Sequence, residues 1–234
     1  MNVYDNLMKT INSEYQEVHL LKSSGRGCVS VIRNAKSGRR YILRQFDGGV
    51  EVYRKLLCIA SPHLPQIYEA VSGGSHSAIL EEYVYGDTLS FLLEDGPLPP
   101  NTARELVRQI CRALWVLHSN GIVHRDIKPE NVIIRGDEAV LIDFDAARVY
   151  KCGSSEDTRV LGTTGYAAPE QYGITQSDTR ADIYSLGVLL NVMLTGEHPS
   201  RKTVGGHLGR VIQKCTMTSP ANRYKDVLRL MSAL

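Results

Sequence analysis

Residues 124–131 read HRDIKPEN and place an acid, Asp126, a base, Lys128, and an amide, Asn131, on one short loop that contains a proline. A carboxylate at 126 can orient a hydroxyl or accept its proton, and an ammonium at 128 can neutralise charge on a phosphoryl group in transit. Downstream, VIIR and AVLI flank the turn-forming Gly136-Asp137, a pattern that predicts a tight hairpin centred near residue 137. Folding about that centre sets Asn131 opposite Asp143, with Cα atoms roughly 5 Å apart, so that one amide and one carboxylate oxygen could share a hard cation such as Mg2+. Short motifs of this kind also arise by accident, so their surroundings decide their weight.

The elements that must position this loop fall into two groups. Before Val84 the chain is strand-rich: YQEVHLL, GCVSVIR, RRYILRQF, PQIYEAV and SAILEEYV carry β-branched and aromatic residues between Ser-Gly and Gly-Gly turn signals. One helical segment, EVYRKLLCIA, interrupts them. Residues 85–88, with Gly86, form a hinge, after which the pattern becomes helical. Thr102 and Glu105 have capping-box spacing, Leu106, Ile110, Leu114 and Leu117 recur at helical intervals, and Asn120-Gly121 stops the run. Ile183 to Leu194 is apolar nearly all round and predicts a helix buried in the second group. The expected architecture is α+β: a five-stranded sheet with a short helix over 1–84, the hinge, and a larger helical lobe over 89–234, with a cleft between the lobes.

Composition excludes several classes of function. With 27 basic and 25 acidic residues the net charge is +2, and no block of one sign suggests a nucleic-acid arm or a membrane-binding face. Five cysteines, odd in number, scattered and without a C-x-x-C, argue for free thiols in a reducing compartment rather than disulfides or zinc. Neither a secretory leader nor an apolar run of spanning length is present, so a soluble, cytoplasmic protein is expected.

The ordered series HRDIKPEN, then DFD at 143–145, then TTGYAAPE at 163–170 resembles the eukaryotic-type serine/threonine protein kinases, particularly their bacterial members, over essentially the whole chain. The resemblance implies ATP and Mg2+ as cofactors and a protein or peptide substrate, possible self-phosphorylation included. It makes Asp126 the catalytic-loop aspartate, Lys128 the lysine beside the transferring phosphoryl group, and Asn131 and Asp143 the metal ligands. Thr163 becomes part of the lip that positions the acceptor, bonded to Asp126 and Lys128. Glu170 becomes the acid that pairs with an arginine near the C-terminus, Arg223, and Asp182 the acceptor of backbone N–H groups from the catalytic loop. Arg125 marks kinases whose catalytic loop can meet a phosphorylated activation loop, with Ser154, Ser155 and Thr158 as candidate acceptors.

In the first group the match departs from the family pattern. The family's spacing puts Val29 after the glycine-rich turn, with Lys22 and Ser24 where two glycines are usual. Gly27 is kept, and Gly25 offers some of the missing freedom; a second phasing led by Gly25 and Gly27 leaves a shorter run to the next strand. Arg44 stands where a lysine ordinarily links the ATP phosphates to a helix glutamate, for which Glu51 is the expected partner. Leu80 and Glu81 to Val84, Glu82 included, would line the adenine slot. The alternative raised by Arg44 and the poor glycine turn is a nucleotide-binding signalling module with little transfer activity.

Overall fold

The computed structural model describes residues 2–25, 27–150, 163–173 and 177–234, so Ser154, Ser155 and Thr158 lie outside the described residues. The chain divides into two compact units, residues 1–61 with 65–84, and residues 62–64 with 85–234. Pro62 to Leu64 thus belong to the second unit although the strand pattern runs past them.

The first unit opens with a helix that the sequence expectations did not include, α1 (Val3–Glu14). Its start is set by a reciprocal pair: the Asn2 side chain accepts from Asp5 N at 2.8 Å, and the Asp5 carboxylate accepts from Asn2 N at 3.4 Å. A five-stranded antiparallel sheet follows, of β1 (Tyr15–Ser24), β2 (Gly27–Asn34), β3 (Arg40–Asp47), β4 (Ile67–Gly73) and β5 (His76–Glu82), in the order β1-β2-β3-β5-β4. Period-two alternation gives the sheet two distinct faces. On one, Ile32, Leu43 and Leu80 pack with Ile11 of α1, flanked by Leu7, Tyr15, Tyr41 and Tyr68. Withdrawing each of those aliphatic side chains from water is worth roughly 1.5–3 kcal/mol, which explains why a helix with a single buried side chain stays on the sheet. The expected helix in EVYRKLLCIA is confined to α2 (Glu51–Leu56).

In the second unit a two-residue strand β6 (Asp87–Thr88) leads into α3 (Leu89–Leu92) and then α4 (Pro100–Ser119). The Thr102 and Glu105 box does not start α4. Pro100 occupies its first turn, where a fixed φ suits the helix and a missing N–H costs nothing, and Glu105 meets Arg112 at 3.3 Å instead. Leu106, Ile110, Leu114 and Leu117 are buried as their spacing predicts. Next come β7 (Ile122–Val123), the hairpin β8 (Val132–Arg135) and β9 (Glu138–Leu141), and β10 (Arg148–Val149), which pairs with β7 while β6 pairs with β8. The central helix α5 (Thr179–Thr195) is capped by Asp178 and ends at the left-handed Gly196; α6 (Gly206–Cys215) and α7 (Val227–Ala233) complete the unit. Helices α5 and α6 cross closely at Gly187, where a Cβ would come within 2.4 Å of Cys215 Cβ. Among the described residues no helix is long and apolar enough to cross a membrane.

The hairpin register corrects one expectation. Val132 pairs with Leu141 and Arg135 with Glu138, so the fold line lies between Gly136 and Asp137 rather than on residue 137. Asn131 therefore stands opposite Ile142, whose N–H donates to its carbonyl at 2.9 Å, and Asp143 comes one residue later.

Candidate active site

Loop 124–131 is held from beneath by Asp182, which is fully buried in the first turn of α5. Its Oδ1 accepts from Arg125 N at 2.7 Å, and its Oδ2 accepts from His124 N at 2.9 Å and His118 Nε2 at 2.8 Å. Burial acts to raise the Asp182 carboxyl, but these donors outweigh it and hold the group below its ordinary value. Gln171 Nε2 donates to Arg125 O at 2.8 Å and ties the loop to the segment after Thr163. His124 is buried, which lowers its pKa and favours the neutral ring. Its Nε2–H faces Ile142 O at 3.2 Å, and its Nδ1 accepts from Asp126 N at 3.4 Å.

This bracing fixes a backbone that would not adopt its shape unaided. Among the described residues, the only non-glycine residues with positive φ are Arg125 (69°) and Asp143 (66°). Such conformations cost on the order of 1–3 kcal/mol each and persist where surrounding contacts determine them.

The side chains converge tightly. Thr163 Oγ1 donates to Asp126 Oδ1 at 2.7 Å and accepts from Lys128 Nζ at 2.7 Å. Lys128 Nζ also meets Asp126 Oδ2 at 2.8 Å. Asn131 Nδ2 donates to Asp126 O at 2.8 Å and to Asp126 Oδ2 at 2.9 Å. That use of the amide nitrogen leaves Oδ1 as the Asn131 atom suited to a cation. Partial burial raises the Asp126 carboxyl, yet the hydrogen bonds from Lys128 and Thr163 prevail and keep it below 3.8. Asp126 is thus an ionised acceptor at neutral pH. Asp143 Oδ1 accepts from Asp145 N at 3.3 Å.

The lip after Thr163 is anchored at several points. Thr163 O accepts from Tyr166 N and Ala167 N, both at 3.0 Å, Ser185 Oγ donates to Tyr166 O at 2.8 Å, and His198 Nε2 donates to Gly165 O at 2.8 Å. Further on, Arg223 grips Glu170 bidentately at 2.6 and 2.8 Å. Its remaining donor bonds go to the carbonyls of Met217, Arg180 and Thr218.

Residues 22–229 match the protein kinase domain family. The chain belongs to the protein kinase family. It is 32% identical over 208 residues to the serine/threonine-protein kinase pkn2 of Myxococcus xanthus, covering 81% of this chain and 25% of that protein. Serine/threonine-protein kinase PknB of Mycobacterium leprae is 41% identical over 204 residues, 74% of this chain and 33% of that protein. PknL of Mycobacterium tuberculosis is 40% identical over 139 residues, 58% of this chain and 35% of that protein. The chain therefore spans between a quarter and about a third of the length of these curated relatives. Its fold is that of the protein kinases, a sheet-rich N-terminal unit followed by a helical one. Helix α1 precedes the residues that the family match covers.

The first unit is where residues depart from expectation. Arg44 Nε donates to Glu81 Oε1 at 2.8 Å, so a carboxylate on the neighbouring strand takes part where Glu51 alone was expected. Glu51 is exposed in the first turn of α2. At the β1-β2 turn Ser24 pairs with Gly27 across the hairpin, and Ser24 Oγ donates to Gly27 O at 3.3 Å. Gly27 has φ 153°, and a Cβ there would lie 2.2 Å from Gln45 O, whereas Gly25 has open space. Val29 is partly buried beside Arg44 on β2, and Val84 is buried at the end of the unit. Glu82 and Gln66 hold each other, Glu82 N donating to Gln66 O at 2.8 Å and Gln66 N to the Glu82 carboxylate at 3.0 Å.

The sequence expectations named Glu81 only for the adenine slot and not as a partner of Arg44, and they missed His118, Gln171 and Gln109 altogether. Gln109, buried in α4, accepts from Ala139 N at 2.7 Å and donates to Asp137 O at 3.1 Å, which seats the hairpin. A glutamine inside an apolar stripe was the visible signal, since a buried amide needs partners. Among the described residues no group of three or more His, Cys, Asp and Glu side chains could hold a metal. Asn131 and Asp143 each offer one hard oxygen ligand, of the kind that a divalent cation would take beside waters and phosphate oxygens.

Proposed function

We propose that this chain transfers the γ-phosphoryl group of ATP to serine or threonine hydroxyls of protein substrates, itself included, with Mg2+ held by Asn131 Oδ1 and Asp143. The observation that carries the reading is the position of the Thr163 hydroxyl, 2.7 Å from both Asp126 Oδ1 and Lys128 Nζ. These are the acceptor and the cation that an incoming hydroxyl needs. Asp126, ionised, would orient that hydroxyl and take up its proton, while Lys128 would balance charge on the phosphoryl oxygens. When bound, Mg2+ supplies charge neutralisation on the nucleotide phosphates. Val29, Arg44, Glu82 and Val84 would contact the nucleotide, with Ser24, Gly25 and Gly27 at its phosphate end; Thr158 would be a self-phosphorylation site, and the lip from Thr163 to Glu170 would seat the acceptor peptide. The two units would act as lobes joined by a hinge at 85–88, in a cytoplasmic protein.

The test is transfer from labelled ATP to a generic basic protein and to the chain itself, with Asp126→Asn alongside. Wild type should transfer at least about 100-fold faster than Asp126→Asn. Equal signals from the two proteins would overturn the reading.

A further inference from the structure

Arg44 departs from the family's lysine, and the sheet register explains what the change accompanies. On β3 and β5, Ile42 stands opposite Glu81 and Arg44 opposite Ile79. Arg44 and Glu81 therefore project from the same face, two residues apart along a diagonal that long side chains span. Val29 and Val31 of β2, opposite Arg44 and Ile42, share that face. It is the face turned away from the Leu43 and Leu80 cluster that α1 covers. The side chains of Arg44 and Glu81 are 8% and 5% exposed, and their 2.8 Å contact runs through Nε.

A carboxylate buried there needs a permanent cation, because an uncompensated charge in a dry sheet face is strongly unfavourable. A lysine at 44 would bring one compact charge, and Glu81 and a phosphate would compete for it. Arginine has a planar head with five N–H donors, so the Nε edge can serve Glu81 while the terminal amino groups serve a second anion.

Resting on the nucleotide-binding reading above, we infer that Glu81 is a positioning residue for nucleotide: it orients the Arg44 guanidinium toward the ATP phosphates, and the two residues work as a matched pair. The arginine is the form that position 44 requires once residue 81 is an acid. Lysine at 44 is then defective because of Glu81 and regains function when that acid is neutralised.

The experiment measures ATP binding with Mg2+ by isothermal titration calorimetry for wild type, Arg44→Lys, Glu81→Gln and the double variant, with urea denaturation without nucleotide to check the fold. Arg44→Lys should weaken ATP binding about tenfold, and adding Glu81→Gln to it should recover about fivefold. Arg44→Lys binding within about twofold of wild type would overturn the inference, as would a folded double variant no tighter than Arg44→Lys. Arg44→Lys retains both buried charges and should fold, so if Glu81→Gln fails to fold that comparison alone decides. Wild type that does not bind ATP would overturn the nucleotide reading itself, whereas wild type that binds without this coupling would sink the pairing alone.

Discussion

Replacing Asp182 by asparagine tests how loop 124–131 is held. The carboxylate accepts three hydrogen bonds with no exposure to solvent. Asparagine keeps one oxygen and puts an NH2 group in place of the other. In one orientation that group faces Arg125 N–H, in the other His124 N–H, so at least one buried backbone donor meets another donor. Leaving a buried donor unsatisfied costs about 1–3 kcal/mol, and removing the charge from the surviving bonds takes about 1 kcal/mol more from each. The expected destabilisation is about 3–5 kcal/mol, a large part of the roughly 5–15 kcal/mol that holds a typical domain. Urea denaturation followed by the fluorescence of Trp115, the chain's single tryptophan, reads the second unit directly. The midpoint should fall with the slope unchanged, and transfer should fall with it, since Arg125 depends on these bonds for its positive φ. Asp178→Asn, at the partly buried cap of the same helix, should cost about 1 kcal/mol or less. A loss below about 1 kcal/mol for Asp182→Asn would refute the view that this carboxylate organises the loop.

Further expectations follow from the same geometry. Gly27→Ala should destabilise the first unit by roughly 2 kcal/mol or more, from the clash with Gln45 O and the positive φ, while Gly25→Ala stays within about 0.5 kcal/mol; thermal denaturation compares them. Arg223→Met should cost about 3–5 kcal/mol because it strands the Glu170 carboxylate, and Arg223→Met with Glu170→Leu should cost less than half of that, measured by urea titration. Since the folded state holds the Asp126 carboxyl below 3.8, its contribution to stability is complete above the unfolded value and is lost as pH falls through the lower folded one. The acid limb of the transfer rate should accordingly lie below the ordinary carboxylate range, and a limb in the range of a histidine would contradict the role given to Asp126. Burial pushes the Cys111 thiol up to about 12 and the Cys215 thiol higher still, so iodoacetamide at pH 8 should label exposed Cys58 well before either, as mass spectrometry of peptides would show.

The sequence alone determined what depends on neighbours along the chain. The acid, base and amide of HRDIKPEN lie on one loop because they are adjacent, α4 follows a 3.6-residue period, and Gly136-Asp137 forces a turn between two apolar runs. These are local preferences that hold whatever the rest of the chain does. Tertiary structure decided the pairings across the fold. Glu81 meets Arg44 because β5, and not β4, lies beside β3, an order that no local pattern encodes. A fold line half a residue from the expected centre moved the partner of Asn131 from Asp143 to Ile142, since pairing register depends on where the turn closes. Helix α1 went unseen because its burial depends on one isoleucine and a sheet face assembled from distant strands. Asp182 shows the same division: its place in a helix's first turn is legible, but His118, His124 and Arg125 become its donors only when α4, α5 and the loop pack together, where a buried carboxylate must find every partner it can.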